Sequence, residues 1–178
     1  MSKRPTLGVV LLSLLVATDV DASDLPKEWH GVWVGQLIVH GPTGKTFQRP
    51  WEIRIEPLTN RSGVTWRITS GMGGQTTTRN YELLPVAEKP GDFKVDEKNG
   101  ILIDARLMGH GLYSYYKDGD ILICTRFELR GDSLWVELAS VSLKDPRIST
   151  LKEDMIEIQS YRLGSVQSGE LKRKKASS

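Results

Sequence analysis

Residues 51–57 read Trp-Glu-Ile-Arg-Ile-Glu-Pro, with an apolar side chain at each odd position before the proline and a charged one at each even position. Side chains of a β-strand alternate between two faces, so this spacing predicts a strand with one buried and one solvated side. The same period of two recurs in residues 64–69, 101–107 and 121–129. The chain is therefore predicted to be mainly β-structure.

Turn-forming residues interrupt the chain at short intervals, as in Asn99-Gly100 and Asp118-Gly119. Asn, Asp and Gly tolerate the positive φ angles of tight hairpins, so strands that are neighbours in sequence should pair antiparallel. The predicted strands are residues 31–40, 47–57, 64–70, 79–86, 92–96, 101–108, 111–117, 120–130, 133–143 and 155–162. A short helical turn is expected near residues 146–153.

Short connections between many strands favour a single closed sheet. We expect an all-β, antiparallel up-and-down barrel of about 8–10 strands, because closure hides the apolar face and leaves no free edge. A two-sheet sandwich is the alternative architecture. Either way, the length of the chain suits one domain.

The start of the chain has the order of an export signal. Basic residues 3–4 precede an uncharged apolar run over residues 7–17. This run is shorter than the roughly 20 residues that a membrane-spanning helix needs. Val-Asp-Ala at residues 20–22 suits cleavage by a signal peptidase, so we predict a secreted or periplasmic protein. The predicted divisions are a signal peptide at 1–22, a β-barrel domain at 23–163 and a basic, disordered tail at 164–178.

Charge and cysteine content narrow the possible partners. The net charge is +2, and the single cysteine, Cys124, leaves no internal disulfide and no thiolate metal site. Four positive charges at residues 172–175 would allow weak contact with an anionic surface. We predict a monomer without specific nucleic-acid binding.

Residues 29–35 read Trp-His-Gly-Val-Trp-Val-Gly at the start of the first predicted strand. Gly31 and Trp33 form a Gly-x-Trp that resembles the opening of calycins, the superfamily of lipocalin-like and fatty-acid-binding-like β-barrels. The resemblance implies that Gly31 permits close approach of the chain and that Trp33 plugs the closed end of the barrel. It also implies that Arg162, matched by its position near the last strand, lies over the Trp33 ring as a cation-π cap.

Two departures limit the resemblance to the wider superfamily. A fatty-acid-binding protein has a helix pair between its first two strands, where this chain offers only residues 40–46. A typical lipocalin has a well-formed helix late in the chain, where residues 144–154 allow only a short one. Streptavidin-like and haem-binding barrels belong to the same superfamily, and the sequence does not choose among these groups.

The side chains predicted to face inward are mostly apolar. They favour an exported, non-catalytic protein that holds a small, mainly hydrophobic molecule in its barrel. The predicted cavity residues are Trp51, Ile53, Ile55, Trp66, Ile68, Ile103, Leu107 and Phe127. Alternatively, these side chains fill the core, and the protein is an envelope-associated interaction or inhibitor module. Its recognition surface would then use the glycine-rich residues 70–78 and the cluster Tyr113, Tyr115 and Tyr116.

Residues with catalytic or metal-binding chemistry show no telling spacing. The carboxylates of the predicted strands fall mostly on the polar faces, and Cys124 has no evident histidine partner. The histidines, His30, His40 and His110, match no metal-binding pattern. We therefore predict no catalytic residue, no metal and no cofactor. An enzyme, or a haem-binding barrel with His110 as the iron ligand at the barrel mouth, is a further alternative.

Overall fold

A computed structural model describes residues 25–151 and 155–175 of the chain. Within these ranges, one short 3-10 turn at Lys27–Trp29 precedes ten strands. The strands are β1 (Gly31–His40), β2 (Thr46–Ile55), β3 (Val64–Met72), β4 (Gln75–Pro85), β5 (Asp92–Asp96), β6 (Leu102–Met108), β7 (Gly111–Asp118), β8 (Ile121–Arg130), β9 (Ser133–Leu151) and β10 (Ile156–Arg173). The predicted signal peptide at 1–22 lies outside the described residues.

Each strand pairs antiparallel with its neighbour in sequence, and β10 pairs with β1. The sheet therefore closes into a single up-and-down barrel, as predicted, and is not a two-sheet sandwich. No helix in the described part of the chain is long and apolar enough to cross a membrane.

The up-and-down order gives the barrel two different ends. One end carries residue 31 at the start of β1, the loop at 56–63 and the turn at 131–132; we call it the closed end. The other end carries the turns at 41–45 and 73–74, and we call it the open end. Fully buried apolar side chains occupy the closed half, among them Trp33, Ile53, Ile55, Leu83, Phe93 and Leu134.

The chain preceding β1 seals the closed end from below. Leu25 and Trp29 are buried, and the Trp29 and Trp66 ring centroids lie 6.4 Å apart. Trp33 is fully buried, and its indole N–H donates a 2.9 Å hydrogen bond to the Trp29 carbonyl oxygen. An apolar plug with its one polar group satisfied is what a closed barrel end requires.

Arg173 is the arginine that lies over the Trp33 plug. The prediction that Arg162 forms this cap is wrong. The Arg173 guanidinium lies 4.0 Å from the Trp33 ring centroid, and it donates hydrogen bonds to the carbonyl oxygens of His30 and Glu28. Gly31 has a φ of +132°, and a Cβ built there would lie 2.7 Å from Arg173 Nη1. The backbone pairing explains the cap, because Trp33 faces Arg173 across the β1–β10 ladder. Arg162 is roughly 35 Å of extended chain away.

The predicted tail at 164–178 is wrong for residues 164–173, which form the second half of β10. This half pairs with β1 through Val166 opposite His40 and Lys172 opposite Val34. The barrel cannot close without it, because β1 has no other neighbour on that side. Two of the four positive charges of the predicted tail are therefore part of the ladder, and Lys172 also forms a 3.0 Å ion pair with Glu170.

The helical turn predicted near 146–153 is wrong for residues 146–151, which belong to β9. Residues 147–151 and 156–160 pair with each other beyond the barrel wall, and we call this projection the ribbon. The described pairing of β8 with β9 ends at Ser142, and that of β1 with β10 ends at Val166. Both outer edges of the ribbon therefore lack a partner strand among the described residues.

Candidate ligand cavity

The open half of the barrel contains a cavity of about 610 Å³. Its apolar lining includes three aromatic side chains that we call the aromatic floor: Trp51, Trp66 and Phe127. The Phe127 ring packs edge-on against Trp66 at 5.0 Å between centroids and stacks with Trp51 at 6.3 Å. These three side chains separate the cavity from the filled closed half.

Five of the eight predicted cavity residues line this space: Trp51, Trp66, Ile68, Ile103 and Phe127. That a ligand touches them remains a prediction. Ile53, Ile55 and Leu107 have the predicted inward direction but do not line the cavity, so their assignment to it is corrected. Ile53 and Ile55 follow Trp51 towards the closed end and are fully buried in the core cluster that contains Trp33. Leu107 packs against the same cluster.

Polar side chains line the cavity nearer the open end, and none of them was predicted from the sequence as a cavity residue. They include Arg49, Arg79, Tyr81, Glu97, Tyr116 and Gln167. Their positions continue the inward faces of the strands: Arg49 precedes Trp51 by two residues, and Arg79 precedes the buried Leu83 by four. A search of each inward face for polar residues, and not for apolar ones alone, would have found them.

The tyrosines of this polar zone sit close to a carboxylate. Burial, and next the negative charge of Glu97, raise the pKa of Tyr81, although the charge of Arg79 opposes the shift. Burial and Glu97 raise the pKa of Tyr116 in the same way. Both phenols therefore stay neutral at physiological pH and can donate or accept a hydrogen bond.

Arg49 is the most constrained of the polar side chains. Its Nη2 donates to Ser70 Oγ at 2.9 Å, and its Nη1 donates to Gln167 Oε1 at 3.3 Å. Its Nε is buried and has no hydrogen-bond partner, and the same is true of the Trp51 indole nitrogen. Burial, and then the nearby charge of Arg79, lower the pKa of Arg49. Within the described residues, neither arginine forms an ion pair with a carboxylate.

Two other strand pairs of the lining, β7–β8 and β9–β10, carry hydroxyl groups that hydrogen-bond to one another. Ser114 and Thr125 are buried and form a 2.6 Å hydrogen bond across β7 and β8. Ser140 and Ser165 form a 2.9 Å hydrogen bond across β9 and β10. These hydroxyl groups satisfy one another, whereas the buried donors of the lining that have no partner, Arg49 Nε and Trp51 Nε1, both belong to β2.

The histidines lie away from the cavity lining. His110 lies in the β6–β7 turn, and its carbonyl oxygen accepts a 2.9 Å hydrogen bond from Leu129 N near the closed end. His110 therefore does not overhang the mouth of the cavity. The alternative in which it binds a haem iron required that position, and this is corrected. His40 is exposed at the end of β1, beside Thr46. No group of three or more His, Cys, Asp or Glu side chains in the described ranges could hold a metal ion.

Two side chains with reactive chemistry, Glu128 and Cys124, lie outside the cavity lining. Glu128 accepts hydrogen bonds from Arg130 and Arg126, and these hold its pKa below its usual range. Burial raises the pKa of the Cys124 thiol, which makes the reactive thiolate scarcer.

The predicted tyrosine cluster divides between two surfaces. Tyr116 lines the cavity, whereas Tyr113 and Tyr115 line a separate cleft of about 630 Å³ beside β5 and β6. Only three residue pairs join β6 to β7, from Met108 opposite Gly111 to Arg106 opposite Tyr113. The cleft occupies the wall where these two strands part, so the three tyrosines do not form one recognition surface.

Comparison with models of known protein families gives no match, and comparison with curated protein sequences gives none. Among solved structures, the chain is similar to the S-type phycobiliprotein lyase CPES from Guillardia theta, with a TM-score of 0.60 and 8% sequence identity. The similarity covers 84% of this chain and 90% of that chain. At this identity the likeness establishes the fold alone. With the closed antiparallel barrel, it fits a calycin-like fold.

Proposed function

We propose that this protein is an exported, non-catalytic binding protein that holds one small, mainly apolar molecule in the open half of its barrel. The observation that carries the proposal is the cavity of about 610 Å³ above the aromatic floor. Ligand sites are commonly concave spaces of roughly 300–1,000 Å³, lined by apolar and aromatic side chains with a few polar groups.

The contrast between the two halves of the barrel supports a binding role. A purely structural barrel gains stability by filling its interior, as the closed half does. The open half instead leaves space above Trp51, Trp66 and Phe127, bordered by polar side chains. Filled packing below an open space gives a ligand a rigid base, which lowers the cost of ordering the site on binding.

The chemistry of the lining supports a binding role over a catalytic one. Glu97 and Asp118 are the carboxylates that line the cavity, and the described lining contains no histidine or cysteine. The similar solved structure is that of a protein named a phycobiliprotein lyase. A protein with this fold can therefore carry an enzyme's name. A molecule recovered chemically changed after incubation with this protein would contradict the non-catalytic assignment.

Tryptophan fluorescence tests the binding proposal directly. The probes are oleate, retinol and haem, added to the wild-type protein and to Trp51→Phe and Trp66→Phe variants. We expect at least one probe to change the emission, and each variant to lose part of that change. Trp135→Phe is the matched control, because Trp135 lies on the outer face under Arg130, whose guanidinium is 4.7 Å from the ring centroid.

Native mass spectrometry of the protein purified from its own host gives an independent test. A retained small molecule would support the proposal and identify its class. An unliganded protein that also fails to respond to every probe would contradict it.

Export is the second part of the proposal and rests on the order of residues 1–22. The basic start, short apolar run and Val-Asp-Ala sequence support it. N-terminal sequencing of protein recovered from outside the cytoplasm should begin near Ser23. Recovery only from the cytoplasm, with residues 1–22 retained, would contradict export.

An envelope-associated interaction module is the second candidate function, and the ribbon is the observation that favours it. Leu151, Ile156 and Ile158 share one ribbon face and are about half exposed, with fractional exposures of 51%, 49% and 56%. Exposed apolar patches mark interaction surfaces in many soluble proteins. Cosedimentation with envelope fractions, compared between wild type and a Leu151→Ser, Ile156→Ser double variant, tests this candidate. An unchanged bound fraction would argue against it.

A further inference from the structure

We propose that the molecule held in the cavity is a singly charged amphiphilic acid, with its carboxylate on Arg49 and Trp51 and its apolar body on the aromatic floor. This inference rests on the proposed binding function and names the class of ligand.

Two unused hydrogen-bond donors carry the assignment. The Nε–H of Arg49 and the indole N–H of Trp51 are buried without a partner. Trp51 is only 6% exposed, and both residues line the cavity. A buried donor without a partner costs roughly 1–3 kcal/mol, and more for a charged group. Arg54 and Arg126 also have a buried Nε without a partner, but neither residue lines the cavity. Arg49 and Trp51 do line it, so a ligand there can supply the acceptors for their two donors.

The position of the two donors suits one compact acceptor group. Arg49 and Trp51 are two residues apart on β2, so both side chains leave the strand on its inner face about 7 Å apart along the chain. Each Arg49 Nη atom donates one hydrogen bond, to Gln167 or to Ser70, which fixes the guanidinium. Three of its five N–H groups, the Nε–H among them, remain for the ligand. A carboxylate has two oxygens and can accept from both donors.

The charges of the lining favour a single negative charge on the ligand. The basic side chains are Arg49, Arg79 and Lys117, and the acidic ones are Glu97 and Asp118, which leaves a balance of one positive charge. Glu97 affects the ionisation of Tyr81 and Tyr116, whereas the hydrogen bonds of Arg49 are to the neutral side chains of Ser70 and Gln167. One carboxylate would neutralise the excess charge, and a doubly charged phosphate would exceed it.

The surrounding surface accounts for the rest of the ligand. Trp51 presents an apolar ring to the floor as well as its N–H, and Phe127 and Trp66 continue the apolar surface. The lining hydroxyl groups of Ser114, Thr125, Ser140 and Ser165 hydrogen-bond to one another in pairs, so they do not require a polar ligand group. The arrangement fits a molecule with one acidic end and one apolar body.

A series with one tail and three head groups tests the inference. Binding of dodecanoate, 1-dodecanol and dodecyl phosphate is measured by tryptophan fluorescence, and retinoate with retinol repeats the comparison for a rigid body. For the wild type we expect each carboxylate to bind about tenfold or more tightly than its alcohol, as hydrogen bonds to a charged group imply. Dodecyl phosphate should bind more weakly than dodecanoate.

Three variants assign this selectivity to the proposed residues. Arg49→Gln should reduce the acid-to-alcohol ratio to about one, mainly by weakening acid binding. Trp51→Phe keeps the apolar ring and removes the N–H, so it should reduce the ratio by a smaller factor. Arg67→Gln makes the same change as Arg49→Gln on the exposed face of the neighbouring strand and should leave the ratio unchanged. Arg49→Lys keeps the charge and covers the case in which Arg49→Gln fails to fold.

The possible outcomes separate this inference from the proposed function. If the wild type binds acids and alcohols equally, or alcohols more tightly, the carboxylate assignment is wrong and the binding function stands. If dodecyl phosphate binds most tightly, the single-charge argument is wrong. If no probe binds to the wild type, both the inference and the proposed function fail.

Discussion

The closed and open halves of the barrel are built from the same ten strands but have different interiors. In the closed half, side chains such as Ile53, Leu83 and Leu134 are fully buried and belong to one core cluster. In the open half, Ile68 and Phe127 line a space of about 610 Å³. One alternating sheet thus contains both a solid core and a cavity.

The difference follows from what occupies the inward positions along a strand. On β2 the inward residues change from Arg49 through Trp51 to Ile53 and Ile55, from the open end to the closed end. Apolar side chains of moderate size can pack together, and the plug of Trp29 and Trp33 closes the space beneath them. Charged side chains near the open end stay close to solvent, because burying them without a partner is costly. The inward side chains thus change from polar to apolar along the strand, and the cavity lies where this change occurs.

Removing the plug should have the largest effect on the closed half. Trp33→Ala deletes a fully buried aromatic ring together with its hydrogen bond to Trp29. Such truncations cost about 3–5 kcal/mol of unfolding free energy. Urea denaturation followed by circular dichroism measures the loss. Trp135→Ala, on the outer face, should cost clearly less, and equal losses would contradict the closed half as the principal core.

Replacing one isoleucine in each half by the larger phenylalanine should show which half of the interior is filled and which has free space. Ile53→Phe adds volume where the side chain has no exposed surface, and overpacking costs about 1–3 kcal/mol. Ile68→Phe places the added atoms beside the cavity, so stability should change little while binding of a fluorescent ligand weakens. Melting temperature and ligand titration of both variants provide the measurements. A similar loss of stability in both would show that the open half is as tightly packed as the closed half.

Much of the fold could be predicted from the sequence, because strand alternation and turn chemistry are local properties. The first eight strands lie within a few residues of their predicted bounds. The extent of β10 could not be predicted in this way. Residues 164–173 contain Val166 and Leu171 among small and polar residues, so their alternation is weak. Closure against β1 decides their structure, and that pairing joins the two ends of the chain.

The candidate site was predictable only in part for a similar reason. The alternation of residues along a strand shows which side chains point inward. It therefore predicted both Trp51 and Ile53 as cavity residues, although only Trp51 lines the cavity. The depth at which packing ends depends on contacts between strands distant in sequence, such as Trp51 with Phe127. Arg49 was missed because the search favoured apolar residues. Arg162 was chosen in place of Arg173 because the length of the last strand was underestimated.

The cation-π cap should make a smaller contribution than the plug itself. Trp33→Leu, which removes the aromatic ring, and Arg173→Ala, made singly and together, form a double-mutant cycle for the pair whose separation is 4.0 Å. A coupling of about 0.5–2 kcal/mol is expected for a contact of this kind. Arg162→Ala with Trp33→Leu is the control cycle and should be additive. Additivity in the Arg173 cycle would show that the guanidinium acts through its backbone hydrogen bonds alone.

The smallest effect is expected on the ribbon, which belongs to neither half of the barrel interior. Ile158 is 56% exposed, and its pairing partner is Ser149 on the facing ribbon strand. Exposed substitutions outside a core usually change stability by less than about 0.5 kcal/mol, so Ile158→Ser should leave the urea midpoint nearly unchanged. Ile55→Ser makes the same chemical change at a fully buried position and should cost several times more, because it removes packing and buries a hydroxyl group. A loss of more than about 1 kcal/mol in Ile158→Ser, well above that usual range for exposed sites, would mean that the ribbon contributes to the stability of the barrel. An unchanged midpoint would instead show that selection for stability does not explain its apolar face.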